Sequence, residues 1–299
     1  MWFSLALLSA FLLGFYDVAK KNSLNSNAVI PVLFLTTLFN SLLFSPLMIL
    51  SWLSPESLAN TPFLLTFEGI ATHLQTLLKA VIVLSSWLLA YFAMKHLPIT
   101  ITSPIKATQP VMVLVGALII FQDRLNLYQW AGVIFAILSF YLLSKAGEKE
   151  GIHFKHNKWI VFIVLSVVMG AISSLYDKYL MTSLSAIVVQ VYYNFYQLVI
   201  MGLILAFLWY PQRSRSTPFK WRWSIVLISI FLSASDFVYF YALSDEKALV
   251  SVVSMIRRSG VIITFFAGAF LFGEKNLKRK AFDLILVVIG MIFLYLGSK

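Results

Sequence analysis

Two adjacent arginines, Arg257 and Arg258, stand inside the apolar stretch SVVSMIRRSGVIITFFAGAF that runs from Ser251 to Phe270. An arginine at the centre of a membrane helix costs about 2.5 to 3.5 kcal/mol on insertion scales, so a partner or a ligand must offset the pair. A lysine, Lys106, sits in a second apolar stretch between Pro104 and Pro110. Each proline removes a backbone donor and leaves carbonyls free, and interrupted backbone at membrane depth is tolerated where it lines a cavity. Asp236, in a third stretch, is the only clearly central carboxylate in this reading. Cations gathered in water-poor surroundings repel one another unless an anion lies between them, so the chemistry these residues suit is recognition of an anion. The rival reading pairs the arginines with Asp236 or with backbone carbonyls and lets Lys106 snorkel to the interface.

Other polar residues recur at helical spacing around these groups, since positions three or four apart share a face. Lys106 and Gln109 follow Thr102 or Ser103; Ser251 and Ser254 precede Arg258, with Gly260 allowing close approach. Further stripes are Gln190, Tyr193 with Asn194, and Gln197; Thr37, Asn40 and Ser41; and Ser229, Ser233, Asp236 and Tyr239. Lys106, Arg257 and Arg258 are the candidates for an anionic group. Asn40, Gln109, Tyr193, Asn194, Gln197, Asp236 and Tyr239 are the candidates for the rest of a solute. Tyr16-Asp17 and Tyr176-Asp177 lie near helix ends beside Lys20, Lys21 and Lys178. They read either as local ion pairs or as gating or proton-coupling positions. Asp283 with Arg279 and Lys280 reads as a solvated helix end, and Gly116-Ala117 and Ala267-Gly268 as close-packing sites.

The elements that must position these residues are membrane helices. Of the 299 residues 60% are hydrophobic and 12% charged, against about 45 to 50% and about 25% in a soluble domain. Crossing the hydrocarbon takes about 20 mostly apolar residues. Ten runs qualify, near 2–19, 29–53, 76–95, 99–121, 127–144, 158–180, 186–210, 222–244, 248–272 and 280–297. They leave no room for a soluble catalytic domain. The first run has no Lys or Arg before it and no small-x-small cleavage pattern, and reads as a retained helix. There is no cysteine. No carboxylate or thiol completes a zinc site around His153 and His156, no phosphate-binding GxxxxGK[ST] is present, and no acid/base cluster suits an enzyme. No cofactor, metal or nucleic acid is expected.

Most Lys and Arg outside the runs lie in the loops after the first, third, fifth, seventh and ninth runs, called face A below; Lys79, Arg124, Lys178, Lys247 and Lys299 fall on the other face. The positive-inside rule puts face A in the cytoplasm and both termini outside.

The chain repeats itself. GFYDVAKK (Gly14 to Lys21) echoes SLYDKYLM (Ser174 to Met181), and IIFQDRLNL (Ile119 to Leu127) echoes FLFGEKNLK (Phe270 to Lys278). The units are 1–145 and 158–299, joined by a basic connector at 146–157. Five helices per unit is odd, so the second is inverted. Inverted repeats are a transporter device, with the site at the repeat interface near the midplane. Aligning the turns places Lys106 over Arg257.

The pattern of a Pro-Val pair, a hydrophobic run, a Gly-Glu-like turn and a final helix resembles the EamA domain of the drug/metabolite transporter superfamily, over essentially the whole chain. The first half has Gln122-Asp123 in place of Gly-Glu, and the connection SPESLANTPFLLTFEGIATHLQ lacks the basic character usual in members. The resemblance implies an all-α integral membrane fold of ten transmembrane helices in two inverted five-helix EamA-type repeats, with termini inside. PIKATQPV and MIRRSGVII are also similar to the helix 4 lysine and helix 9 Lys-Arg pair of plastid sugar-phosphate translocators. That similarity implies phosphate or carboxylate ligation by Lys106, Arg257 and Arg258, with Arg replacing the first Lys.

The expectation is therefore a secondary transporter in the bacterial inner membrane, moving a small anionic or zwitterionic metabolite by alternating access, as monomer or homodimer. Two alternatives stay open. One is an exporter of amino acids or neutral metabolites whose arginines form a structural ion-pair network. The other is an enzyme or flippase acting on a lipid phosphate.

Overall fold

A computed structural model describes residues 2–59, 61–66, 68–121, 126–148, 152, 154–245, 248, 250–274 and 277–297. The Gln122-Asp123 turn, Arg124, Lys149, His153, Lys247, Lys275 and Lys299 lie outside the described residues. Twelve α-helices follow one another: α1 (Trp2–Leu24), α2 (Val29–Leu53), α3 (Ile70–His96), α4 (Ile99–Ala107), α5 (Gln109–Phe121), α6 (Leu127–Glu148), α7 (Lys158–Leu180), α8 (Ala186–Ile204), α9 (Ser224–Leu243), α10 (Val250–Arg258), α11 (Val261–Phe270) and α12 (Leu277–Gly297). Eight segments are long and apolar enough to cross a membrane, with α10 and α11 counted as one. The broken pair α4–α5 and the helix α6 supply the other two crossings of the ten expected.

Sequence boundaries shift for local reasons. The first run continues to Leu24 and the third begins at Ile70, because polar residues there bond within the bundle. Ser23 Oγ near the end of α1, for example, bonds to Ser224 Oγ of α9 at 2.6 Å. The fourth run breaks at Thr108, where Pro110 cannot return a hydrogen bond to the turn before it. The ninth breaks at Ser259 and Gly260. Beyond Ile204 the seventh passes into a π-helical turn, Leu205–Trp209.

The two halves interlock as an inverted repeat should. α1 lies on α9, and their repeat counterparts α7 and α3 lie on each other; α4 meets α11 as α10 meets α5; α2 meets α8, and α6 meets α12. Each long crossing carries a serine pair, Ser9 Oγ to Ser235 Oγ at 3.0 Å and Ser86 Oγ to Ser166 Oγ at 3.2 Å. Each helix break meets its crossing helix at a glycine, Gly260 within the second break and Gly170 of α7 beside the first. A Cβ on Gly260 would stand 2.4 Å from the Ala10 carbonyl oxygen, and one on Gly170 would stand 2.7 Å from Gln109 Oε1. The apolar side chains that remain exposed, such as Phe11, Ile134, Val199 and Ile285, form the outer surface that hydrocarbon covers.

The Gly273-Glu274 turn does more than end a helix. Gly273 adopts φ +58°, a left-handed conformation that glycine takes without a Cβ penalty. The Glu274 carboxylate then accepts from the backbone N–H of Ile99 at 2.6 Å and of Thr100 at 2.9 Å, and from the Thr100 hydroxyl. A carboxylate at a helix start meets orphan N–H groups and the positive end of the dipole, so the second repeat caps α4 of the first. Lys280 adds a bond to Thr100 Oγ1 at 2.8 Å, and Asp283 accepts from Ser139 Oγ at 2.8 Å. Both residues are fully buried, which corrects the reading of this segment as a solvated end. Packing of α12 against α4 and α6 encloses them.

Gly260→Ala forces a side chain into the α1 backbone and should lower stability by the about 1 to 3 kcal/mol typical of overpacking. Gly69→Ala, where nothing lies within 4 Å of the added Cβ, should leave the melting temperature in detergent unchanged. Equal melting temperatures for the two variants would contradict the close crossing of α1 over the α10–α11 break.

Candidate functional site

The breaks in the fourth and ninth crossings decide where the cations end up. Lys106 occupies the last turn of α4, and Arg257 and Arg258 the last turn of α10. The C-terminal end of a helix carries partial negative charge and free carbonyls, which favour a cation. These two half-helices belong to opposite repeats and deliver their charges to one shared space.

That space is a cavity of about 100 Å³, several times the about 10 to 15 Å³ that one water needs. Tyr16 and Lys20 of α1, Lys79 and Trp87 of α3, Lys106, Gln109, Asp177 of α7, Tyr193 of α8, Asp236 of α9, Arg257 and Arg258 line it. A smaller space of about 10 Å³ adjoins it, lined by Asp17 with Lys106, Arg257, Arg258 and Gly260.

Three aspartates organise the charges. Asp17 accepts from Lys20 Nζ at 2.7 Å through Oδ1, and from Lys106 Nζ at 2.7 Å through each oxygen. Asp177 pairs with Lys79, and Asp236 pairs with Arg257 while accepting from the Tyr193 hydroxyl at 2.8 Å. Arg258 donates to Gln109 Oε1 instead of a carboxylate, and Gln109 Nε2 continues to Ser174 Oγ at 3.1 Å. Aromatic faces complete the walls. Lys20 stands 4.2 Å from the Tyr16 ring centre, Lys79 4.8 Å from Tyr193, and Arg257 4.2 Å from Tyr239. Such faces stabilise a cation when water is scarce.

Five cations therefore meet three carboxylates around the joined cavities. The excess is not spread evenly. Lys79, Asp177, Asp236 and Arg257 balance, whereas Lys20, Lys106 and Arg258 face Asp17 alone. One end of the cavity is cationic and the other neutral.

Of the residues singled out in the sequence, Lys106, Gln109, Arg257, Arg258, Tyr193, Asp236, Tyr16 and Asp177 come together on the cavity, with Asp17 in the adjoining space. Others lie elsewhere. Asn40 accepts from Ser233 Oγ at 3.1 Å, and Tyr176 donates to the Gln75 carbonyl at 3.2 Å. Asn194 and Gln197 are buried outside the lining, and Tyr239 reaches the site through Arg257.

Of the arrangements the sequence leaves open, the structure shows Arg257 paired with Asp236, while Lys106 meets Asp17 instead of reaching the interface. Lys20 and Lys79, which the loop-charge reading sets at the two membrane faces, are instead fully buried and line the cavity. The available signal was the i, i+3 spacing of Asp17 and Lys20, which puts both on one face; nothing local marks Lys79. Among the described residues no group of three His, Cys, Asp or Glu side chains could hold a metal ion.

The sequence model of the EamA-like transporter family matches residues 1–145 and 157–296. A solved crystal structure, described only as that of a protein, superposes with a TM-score of 0.65 at 13% identity, covering 99% of this chain and 98% of that one; the likeness is one of fold. No curated protein matches the chain.

Removing one member of a buried pair strands its partner and costs about 3 to 5 kcal/mol, while replacing both by apolar residues is often neutral. Asp177→Asn should accordingly destabilise the detergent-solubilised protein strongly, and Lys79→Met with Asp177→Leu should recover most of the loss. A double variant no more stable than Asp177→Asn would show that α3 and α7 are held by other contacts.

Proposed function

The chain belongs to the EamA-like transporter family and is an integral multi-pass membrane protein; from that premise we propose that it is a secondary transporter of a small anionic metabolite, working by alternating access in the inner membrane. The observation that carries this reading is the excess of two positive charges at the end of the cavity formed by Lys20, Lys106 and Arg258. Uncompensated charge in low dielectric is unfavourable, and an anion of one or two charges removes the excess.

In this proposal the solute competes for groups that hold weaker or shared partners. Its anionic group displaces Gln109 from Arg258 and draws Lys106 away from Asp17, which retains Lys20. Arg257 stays with Asp236 and positions Tyr193, so its role is to shape the neutral end. Tyr193, Asp236 and Gln109 then meet the hydrogen-bonding remainder of the solute. Asp17 and Asp177 report occupancy to α1 and α7, the helices that cross the two breaks. Similarity of PIKATQPV and MIRRSGVII to sugar-phosphate translocators makes phosphate esters and carboxylates the first compounds to examine.

A second reading has its own support. Arg257 and Lys79 already have carboxylate partners, as an ion-pair network in a carrier of neutral or zwitterionic solutes would require.

The purified protein and its Arg258→Gln variant should be screened by thermal unfolding against phosphorylated sugars, inorganic phosphate, carboxylates and amino acids. A ligand at 100 times its dissociation constant adds about 2.7 kcal/mol to the native state. The expected result is a rise in melting temperature with an anion, absent in the variant, with the two proteins melting alike without ligand. Stabilisation by neutral or zwitterionic solutes only, equal in both proteins, would select the second reading.

A further inference from the structure

The charged groups occupy only part of the cavity wall. α3 lines the space from Lys79 to Ala90 and α7 from Ser166 to Asp177, each through positions three or four apart that share a face. At 1.5 Å per residue the cavity is therefore drawn out for about 16 Å along the crossing of these two helices. One end is closed by Lys79, which pairs with Asp177 and stands between the rings of Tyr193 and Phe240, 4.8 and 4.7 Å from their centres. Toward the other, Lys20 Nζ stands 5.1 Å from the ring centre of Tyr91, one turn along α3 from Trp87.

Between the ends the wall is largely carbon. Leu13 of α1, Val83 and Trp87 of α3, Val167 of α7 and Leu232 of α9 all line it, Trp87 being the largest. Most hydroxyls on this stretch are already engaged. Ser86 Oγ donates to the Ser166 carbonyl at 2.8 Å and pairs with Ser166 Oγ; Ser174 Oγ donates to the Gly170 carbonyl at 3.0 Å and accepts from Gln109; the Tyr193 hydroxyl donates to Asp236. Ser173 is the exception among the described residues. A polyhydroxylated solute would give up hydration here for few hydrogen bonds, which is unfavourable.

A site with a mostly apolar wall and a few placed charges binds a ligand of the same make-up, the charges fixing its orientation. We propose that the solute is an amphipathic organic anion, a small carboxylate whose charge takes Arg258 and Lys106 and whose compact apolar group lies along Val83, Trp87 and Val167. The space of about 100 Å³ is somewhat smaller than the about 150 Å³ in which an apolar protein cavity holds a benzene, so the apolar group has only a few carbons. The proposal rests on the anion reading above and narrows it, since a sugar phosphate presents hydroxyls where this wall presents carbon.

Titration calorimetry of the detergent-solubilised protein with acetate, propanoate, butanoate and pentanoate tests this, with heats from protein-free detergent subtracted. Each methylene moved from water onto an apolar wall tightens binding about fourfold, so pentanoate should bind about sixtyfold more tightly than acetate. 4-Hydroxybutanoate, which carries a hydroxyl in place of the terminal methyl of pentanoate, should bind more weakly than pentanoate. In Trp87→Ala the gain per methylene should fall below about twofold; should that variant fail to fold, Val83→Thr, which keeps the shape and adds a hydroxyl, carries the comparison. Arg258→Gln should lose every carboxylate. Equal affinities across the series, an undiminished gain per methylene in the wall variant, or tighter binding of 4-hydroxybutanoate than of pentanoate would overturn the apolar assignment, and the anion reading would stand if Arg258→Gln still abolished binding. Absence of carboxylate binding would overturn the assignment too, while Arg258-dependent stabilisation by phosphate would keep the anion reading.

Discussion

Charge enclosed by hydrocarbon has to be answered within reach of the charged atom, because no bulk water screens it. This constraint organises the bundle. Asp17 fastens α1 to α4 through Lys106, Asp177 fastens α7 to α3 through Lys79, and Asp236 fastens α9 to α10 through Arg257. Desolvation offsets much of the attraction in such pairs, so they add little net stability, but breaking one is expensive. The bundle can rearrange at low cost only if every cation keeps a partner or passes to a ligand. Arg258 is bonded to the neutral amide of Gln109, not to a carboxylate.

The breaks in the fourth and ninth crossings follow from the same constraint. A continuous helix satisfies its own carbonyls and leaves nothing for a cation; a helix that stops inside the bundle presents free carbonyls beside its last side chains. Pro110 enforces the first interruption through its missing N–H. The second has no proline and rests on Gly260, where α1 approaches so closely that no Cβ fits. One break is written into the chain covalently, the other into the packing. Glu274 links them, since the turn after α11 caps the start of α4 and thereby sets the position of Lys106 at the far end of that short helix.

Much of this architecture is readable along the chain. Ten apolar runs, the echo of GFYDVAKK in SLYDKYLM and an odd number of helices per unit lead to an inverted repeat, because hydropathy and period are local properties. The principal cations are readable too, since an arginine in a membrane run stands out against its surroundings. Their partners are not. Asp17 looks like a helix-end residue until α1 runs on to Leu24, and Asp177 and Lys79 look like interfacial charges until α7 and α3 pack side by side. Whether a lysine near a run boundary is solvated or enclosed depends on neighbours distant in sequence.

By itself the sequence determined the membrane class, the two inverted units, the breakable fourth helix and the surplus of positive charge within apolar segments. These follow from composition, periodicity and proline chemistry, which act over a few residues. Only the tertiary structure decided which carboxylate answers which cation, that the surplus gathers on Lys20, Lys106 and Arg258, and that the amides of α8 stand apart from the cavity. Electrostatic energy in low dielectric depends steeply on distances of a few ångströms, and those distances exist only once helices from opposite halves have packed.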